Sequence, residues 1–155
     1  FKDVYNIKNS RIYNMKNINA EVELKLPVIP DIELSATKTA EVISKHMNLS
    51  EEKTGEISMA IIESCINAFE HSKTKEIYIH FIVSKDKLTI KVKDKGIGFD
   101  KSKVEIPNIE NKLNSDERKR GWGLQLITEL MDTVEYDSDE TGTTVTMTKK
   151  REDNE

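Results

Sequence analysis

The chain has 155 residues, 36% hydrophobic and 34% charged, with a formal net charge of −4. That length suits one domain around one core and leaves too little for two. The acidic balance, with no basic stripe rising above it, excludes a general nucleic-acid binder. No apolar run approaches a membrane span and no signal peptide is visible, so no membrane partner is expected. The single cysteine, Cys65, rules out a disulfide framework within the chain and is expected to be a buried, inert thiol in a reducing cytoplasm. The chain opens on Phe1 rather than Met and reads as a piece of a longer protein.

Residues 1–19 are polar and rich in Asn and Lys, with scattered Tyr5, Ile7, Ile12, Tyr13 and Met15, and read as a linker or the tail of a preceding domain. Ala20, Val22, Leu24 and Leu26 alternate with charged residues, which predicts a half-buried strand ended by Pro27 and Pro30. Asp31 to about Met47 predicts a helix with an apolar stripe of Ile32, Ala36, Ala40 and Ile43, and Pro30 suits its first turn. Ser50 followed by Glu51 and Glu52 predicts a second helix start, because the hydroxyl caps free N–H groups and the acids suit the positive end. Its stripe is Ile57, Ile61 and Cys65, and Met59, Ile62, Ile66 and Phe69 are expected to widen the buried side, as in a helix lying across a sheet.

Two strands follow: Ile77, Ile79, Phe81 and Val83 alternate, then Leu88, Ile90 and Val92 after a turn near Lys85-Asp86. Lys101 to Lys119 has little periodicity, many charges and Pro107-Asn108, the signature of a long loop such as a lid. Trp122 to Met131 predicts a helix, and Val134–Tyr136 with Thr143–Met147 a closing hairpin around Gly142. The charged end, 151–155, is expected to be disordered. The sum is α+β, a two-layer α/β sandwich: one mixed sheet with helices on one face.

Three pieces carry chemistry beyond that frame. Glu63 and Asn67 are four apart, so on a helix both leave one face. A carboxylate and a carboxamide so placed can hold hydrated Mg²⁺ and orient a hydroxyl or water, though such pairs are also ordinary on a wet helix face. Asp94-x-Gly96-x-Gly98 leaves a strand through glycines that let a ligand approach the backbone, and Asp94 offers an acceptor for a purine amino group. Arg120-Gly121-Trp122-Gly123-Leu124 is expected at a helix N-terminus, where free N–H groups favour a phosphate. Arg118 and Lys119 precede it, as phosphate partners or as a solvated charge run.

With Glu63-Ser64-Cys65-Ile66-Asn67 first and Gly142-Thr143-Thr144-Val145 last, these pieces resemble, in order and spacing, the GHKL (Bergerat) ATP-binding domain. The likeness runs from about Ala20 to Lys149 and is nearest to the anti-sigma-factor serine/threonine kinases. It implies ATP and Mg²⁺, with Asp94, Gly96 and Gly98 at the adenine and His71 near the base. It puts Thr143 behind Asp94, Asn67 on the metal, and Gly121, Gly123 and Leu124 at the triphosphate with Lys119 or Arg120. Glu63 stands where histidine kinases usually carry asparagine, and a glutamate suits a general base that takes a proton from a serine or threonine hydroxyl. The implied partners are an antagonist protein of STAS type as substrate, a sigma factor or other regulator, and a second copy of the chain. The catalytic domain of a sensor histidine kinase and a binding module that transfers little remain open, although Glu63 and Glu70 depart from the former.

Overall fold

The computed structural model describes residues 20–96 and 116–152, with only the backbone course given for Gly96 and for 116–121. The expected linker 1–19, residues 97–115 of the Gly98 region and lid, and 153–155 of the tail lie outside the described residues. The elements are β1 (Ala20–Pro27), α1 (Glu33–His46), α2 (Glu51–His71), β2 (Ser72–Val83), β3 (Lys87–Gly96), α3 (Asp116–Leu130), β4 (Thr133–Asp139) and β5 (Gly142–Lys150).

The strands form one sheet in the order β1-β2-β3-β5-β4. Its inward side chains line up in rows across all five strands. Val22, Phe81, Ile90, Met147 and Val134 make one row, and Leu24, Ile79, Val92, Val145 and Tyr136 the next. The third row begins apolar with Leu26 and Ile77 and then turns polar through Asp94, Thr143 and Ser138. The helices cover this face. Ala36, Ala40 and Ile43 of α1, Ile57, Ile61 and Cys65 of α2, and Ile127 of α3 join the sheet residues in a single core. The layers are those expected of the sandwich.

The sheet, however, is antiparallel at every pairing rather than mixed. The reason is topological. Strand β5 folds back from the β4–β5 hairpin to lie between β3 and β4 and pairs antiparallel with each, so β3 and β4 run the same way. The parallel pair is present but never adjacent.

Ser50 caps α2 as expected, its hydroxyl accepting from the Lys53 N–H at 3.2 Å. Helix α1 begins later than Asp31, because Asp31 has φ 63° and Glu33 is the first helical residue. Pro30 therefore belongs to the preceding turn. Met59 and Ile66, expected to be buried, are 50% and 37% exposed. At 100° per residue they share the face of Glu63, which points away from the sheet. At its other end α2 passes from His71 straight into β2 at Ser72, with no intervening loop.

The thiol of Cys65 is fully buried, and burial, with a smaller push from Glu33, raises its pKa from the ordinary 9.0 to about 12. The native state thus holds the thiol proton more tightly than the unfolded chain. Its stabilising effect is complete below pH 9.0 and is lost as pH climbs through about 12. At pH 8 a thiol-directed chromogenic reagent should leave the native protein unmodified and label one thiol per chain in denaturant; native labelling would show Cys65 to be accessible.

Candidate functional site

The polar end of the third row faces the C-terminal half of α2. Asp94 and Thr143 are directly opposed on β3 and β5, and each is 5% exposed. Thr143 Oγ1 lies 2.9 Å from Ser138 Oγ on β4. Across from this row α2 presents Ser64, Asn67, Ala68 and His71, which together with Val92, Asp94, Thr143, Val145 and Leu124 line a cavity of about 20 Å³. That holds about one water molecule. A purine needs far more room than that, so its entry requires some of the lining to move.

Glu63 and Asn67 sit one turn apart on α2, and α3 comes close to both. A Cβ placed on Gly123 would stand 3.1 Å from Glu63 Oε2 and 3.1 Å from Asn67 Nδ2. Glycine at this position lets the second helix reach the two side chains. The Asn67 Nδ2 group is buried with no hydrogen-bond partner among the described residues. The carboxamide can therefore turn a donor to phosphate or its oxygen to a cation. His71 lines the cavity from the last turn of α2, its ring Nε2 3.9 Å from Glu70 Oε2.

The glycine box departs from expectation in one respect. Helix α3 starts at Asp116, so Arg120, Gly121, Gly123 and Leu124 lie within it and not at its first turn. Residues 116–119, expected in the loop, are helical. Acids at the first positions suit the helix dipole, and the Arg and Lys that follow are good helix formers, so the helix runs on through its glycines. The two glycines thus sit inside the helix rather than at its first turn, and Gly123 packs closely on Glu63 and Asn67. Gly96 pairs with Ser72 beside His71. The side chains of Lys119 and Arg120, any approach to Gly121, and Gly98 altogether lie outside the described residues.

Gly142 has φ +149°, and a Cβ there would fall 2.1 Å from the Asp94 carbonyl oxygen. It lets β5 begin hard against the end of β3 that carries Asp94. Sequence reasoning used Gly142 as a turn and as the head of the last motif but not for this close approach, and it did not place Ser64, Ala68, Val92, Val145 or Ser138 at the site. Ser64, Asn67, Ala68 and His71 recur at spacings of three and four, so their shared face was legible; the strand residues needed the register.

The sequence profile of a histidine kinase-like ATPase domain matches residues 31–149. This chain belongs to that family. Curated relatives named serine-protein kinase RsbW, from Bacillus licheniformis and Bacillus subtilis strain 168, are 33% and 30% identical over 142 residues, spanning 87% of this chain and 88% of theirs. The crystal structure of the RsbU and RsbW domains of a Mycobacterium tuberculosis protein superposes over 86% of this chain with a TM-score of 0.62 and 17% identity. It shares the fold, and this chain covers 33% of its length. The likeness read from the motifs thus holds: the domain is of the GHKL ATPase type, with serine-protein kinases named RsbW among its relatives. No helix among the described residues is long and apolar enough to cross a membrane.

The two glycines should respond differently to one methyl. Gly142→Ala meets backbone at a strained φ and should cost about 3 kcal/mol, lowering Tm by about 10 °C. Gly123→Ala meets only side-chain ends, so Tm should move by less than about 3 °C while Glu63 and Asn67 shift. Calorimetric melting of both variants checks this; equal losses would contradict the described contacts.

Proposed function

We propose that this domain is an ATP-dependent serine/threonine protein kinase of the anti-sigma-factor type. It acts in partner switching: it phosphorylates an antagonist protein of STAS type and binds a sigma factor or another regulator, as a homodimer in the cytoplasm. The observation that carries the reading is the meeting of Glu63 and Asn67 on α2 with Gly123 on α3, with Asn67 lining one cavity together with the Asp94–Thr143 pair. The names of the relatives support the hydroxyl acceptor.

In this reading Asp94 accepts from the adenine amino group, and Thr143, held by Ser138, fixes the polar row beside it. His71 and Leu124 border the base, with Gly96 and Gly98 as a further wall. Asn67 would hold Mg²⁺ through its carboxamide oxygen and offer phosphate its Nδ2, which has no partner among the described residues, and Gly121, Gly123 and either Lys119 or Arg120 would serve the triphosphate. A divalent cation there supplies positive charge against the phosphates. Glu63 takes the proton of the acceptor hydroxyl as its oxygen bonds to the γ-phosphorus; the bond from that phosphorus to the bridging oxygen breaks, and ADP leaves with the electron pair. Met59 and Ile66 are exposed on either side of Glu63 along α2, an apolar surround suited to a protein acceptor.

Glu63→Gln keeps the shape of the side chain and removes the base. Labelled phosphate transfer to an antagonist protein should fall by on the order of 10²–10⁴-fold, with ATP affinity unchanged within about twofold. Asp94→Asn should instead weaken ATP binding by about ten- to a hundredfold, since an amide nitrogen that only donates replaces one of its two acceptor oxygens. Acid-stable label on serine or threonine is expected. Acid-labile label on histidine would overturn the reading in favour of a sensor kinase, and bound ATP with no transfer in favour of a binding module.

A further inference from the structure

The elements that meet at the cavity meet again two helical turns away. Lys149 points inward from β5, on the same side of the strand as Thr143, and is 6% exposed. Its Nζ lies 2.5 Å from Glu56 Oε2 and donates to the Leu130 carbonyl oxygen at 2.7 Å. Glu56 precedes Glu63 by two turns on α2, and Leu130 follows Gly123 by two turns at the end of α3. One ammonium group therefore ties together the three elements that carry Glu63, Gly123 and Thr143.

The chemistry of a helix end explains why it is there. The last carbonyls of a helix lack partners within it and form the negative end of its dipole. Helix α3 has no basic residue in its own last turn, and Lys149 supplies the charge from the sheet. A buried ammonium is tolerated only where acceptors surround it, so Glu56 and the Leu130 carbonyl fix where Nζ sits, and Nζ in turn fixes them.

We propose that Lys149 is a positioning residue for the nucleotide site: it pins the C-terminal end of α3 to Glu56 and so sets how the Gly123–Leu124 turn meets Glu63 and Asn67. This rests on the kinase reading of that site. The two turns between Leu130 and Gly123 act as a short rod, so a slide at the pinned end reappears at the glycine. A displacement of about 1 Å among groups that position reactants can cost on the order of a hundredfold in rate. The side chain of Glu56 is 31% exposed, so water can solvate it when the lysine is replaced. Removing Glu56 would instead strand a buried cation, so Lys149→Met is the variant that frees α3 and keeps the fold.

The test compares wild type, Lys149→Met and Lys149→Arg, each below its melting temperature, by calorimetry with ATP and Mg²⁺, by phosphate transfer, and by amide hydrogen exchange across Gly123–Leu130 without nucleotide. Lys149→Met should weaken ATP binding about tenfold, slow transfer on the order of a hundredfold, and speed exchange in α3; Lys149→Arg should recover most of each. Should the single variant not fold, Lys149→Met with Glu56→Leu replaces the pair by apolar contact and gives the same readouts. A lower Tm with unchanged affinity and rate would overturn the proposal, as would an arginine variant no better than methionine. Wild type that takes up no ATP would instead sink the kinase reading, and the role of Lys149 toward nucleotide with it; the exchange comparison would then still report whether Lys149 holds α3.

Discussion

The site depends first on how closely α2 lies against the sheet. Ala60, Ser64 and Ala68 follow one another every four residues along its inward side, and all three are buried. Small side chains at this spacing let the helix approach β3 and β5, with Ile57, Ile61 and Cys65 filling the interior beside them. Ser64 brings no unsatisfied group to the sheet, because its hydroxyl donates to the Ala60 carbonyl at 2.7 Å and lies 3.3 Å from Met147 Sδ on β5. A bulkier residue at 64 or 68 would lift the last turns of α2 and draw Asn67 and His71 away from Asp94. Helix–sheet packing and site geometry are thus one constraint.

The sheet meets that constraint by changing character along its rows. Two rows are apolar from edge to edge, and the third gives way to Asp94, Thr143 and Ser138 where the last turns of α2 pass over it. Burial of the apolar rows stabilises the frame, and the polar end carries side chains that chemistry can use. Gly142 belongs to the same arrangement. Because it has no Cβ, β5 can start beside the Asp94 carbonyl, and Thr143 then falls opposite Asp94 rather than one residue out of register. A slip of one residue would turn Thr143 to the outer face.

Much of this was legible in sequence where one periodicity rules. The alternation in β1, β2 and β3, the Ser50 cap, and the pairing of Glu63 with Asn67 follow from local pattern alone. Local pattern failed where the partner decides. Met59 and Ile66 are apolar, yet the orientation of α2 is set by its small-residue side, and they ride on the outer face with Glu63. Gly121 and Gly123 read as a helix start because free N–H groups there suit a phosphate, but the helix begins before them, and Gly123 packs on α2. The antiparallel pairing needed the hairpin that inserts β5. Lys149 read as the edge of a charged tail, since one lysine in a strand gives no sign that a helix end and a glutamate wait beneath it.

Helix α3 joins two ends of different character. Near Gly121 and Gly123 each glycine costs about 1 kcal/mol relative to alanine, and the packing partners of Gly123 are side-chain ends rather than backbone. Toward Leu130 the helix has Ile127 fully buried, a carbonyl bonded to Lys149, and Met131 closing the turn. Local opening is drawn from the segments of lowest stability. A nucleotide needs far more room than the cavity offers, and the part of α3 that bounds this space is its weaker part. The glycine that allows the close packing on Glu63 and Asn67 thus belongs to the same helix whose far end is held by Lys149 and the core, and the fit at one end depends on the hold at the other.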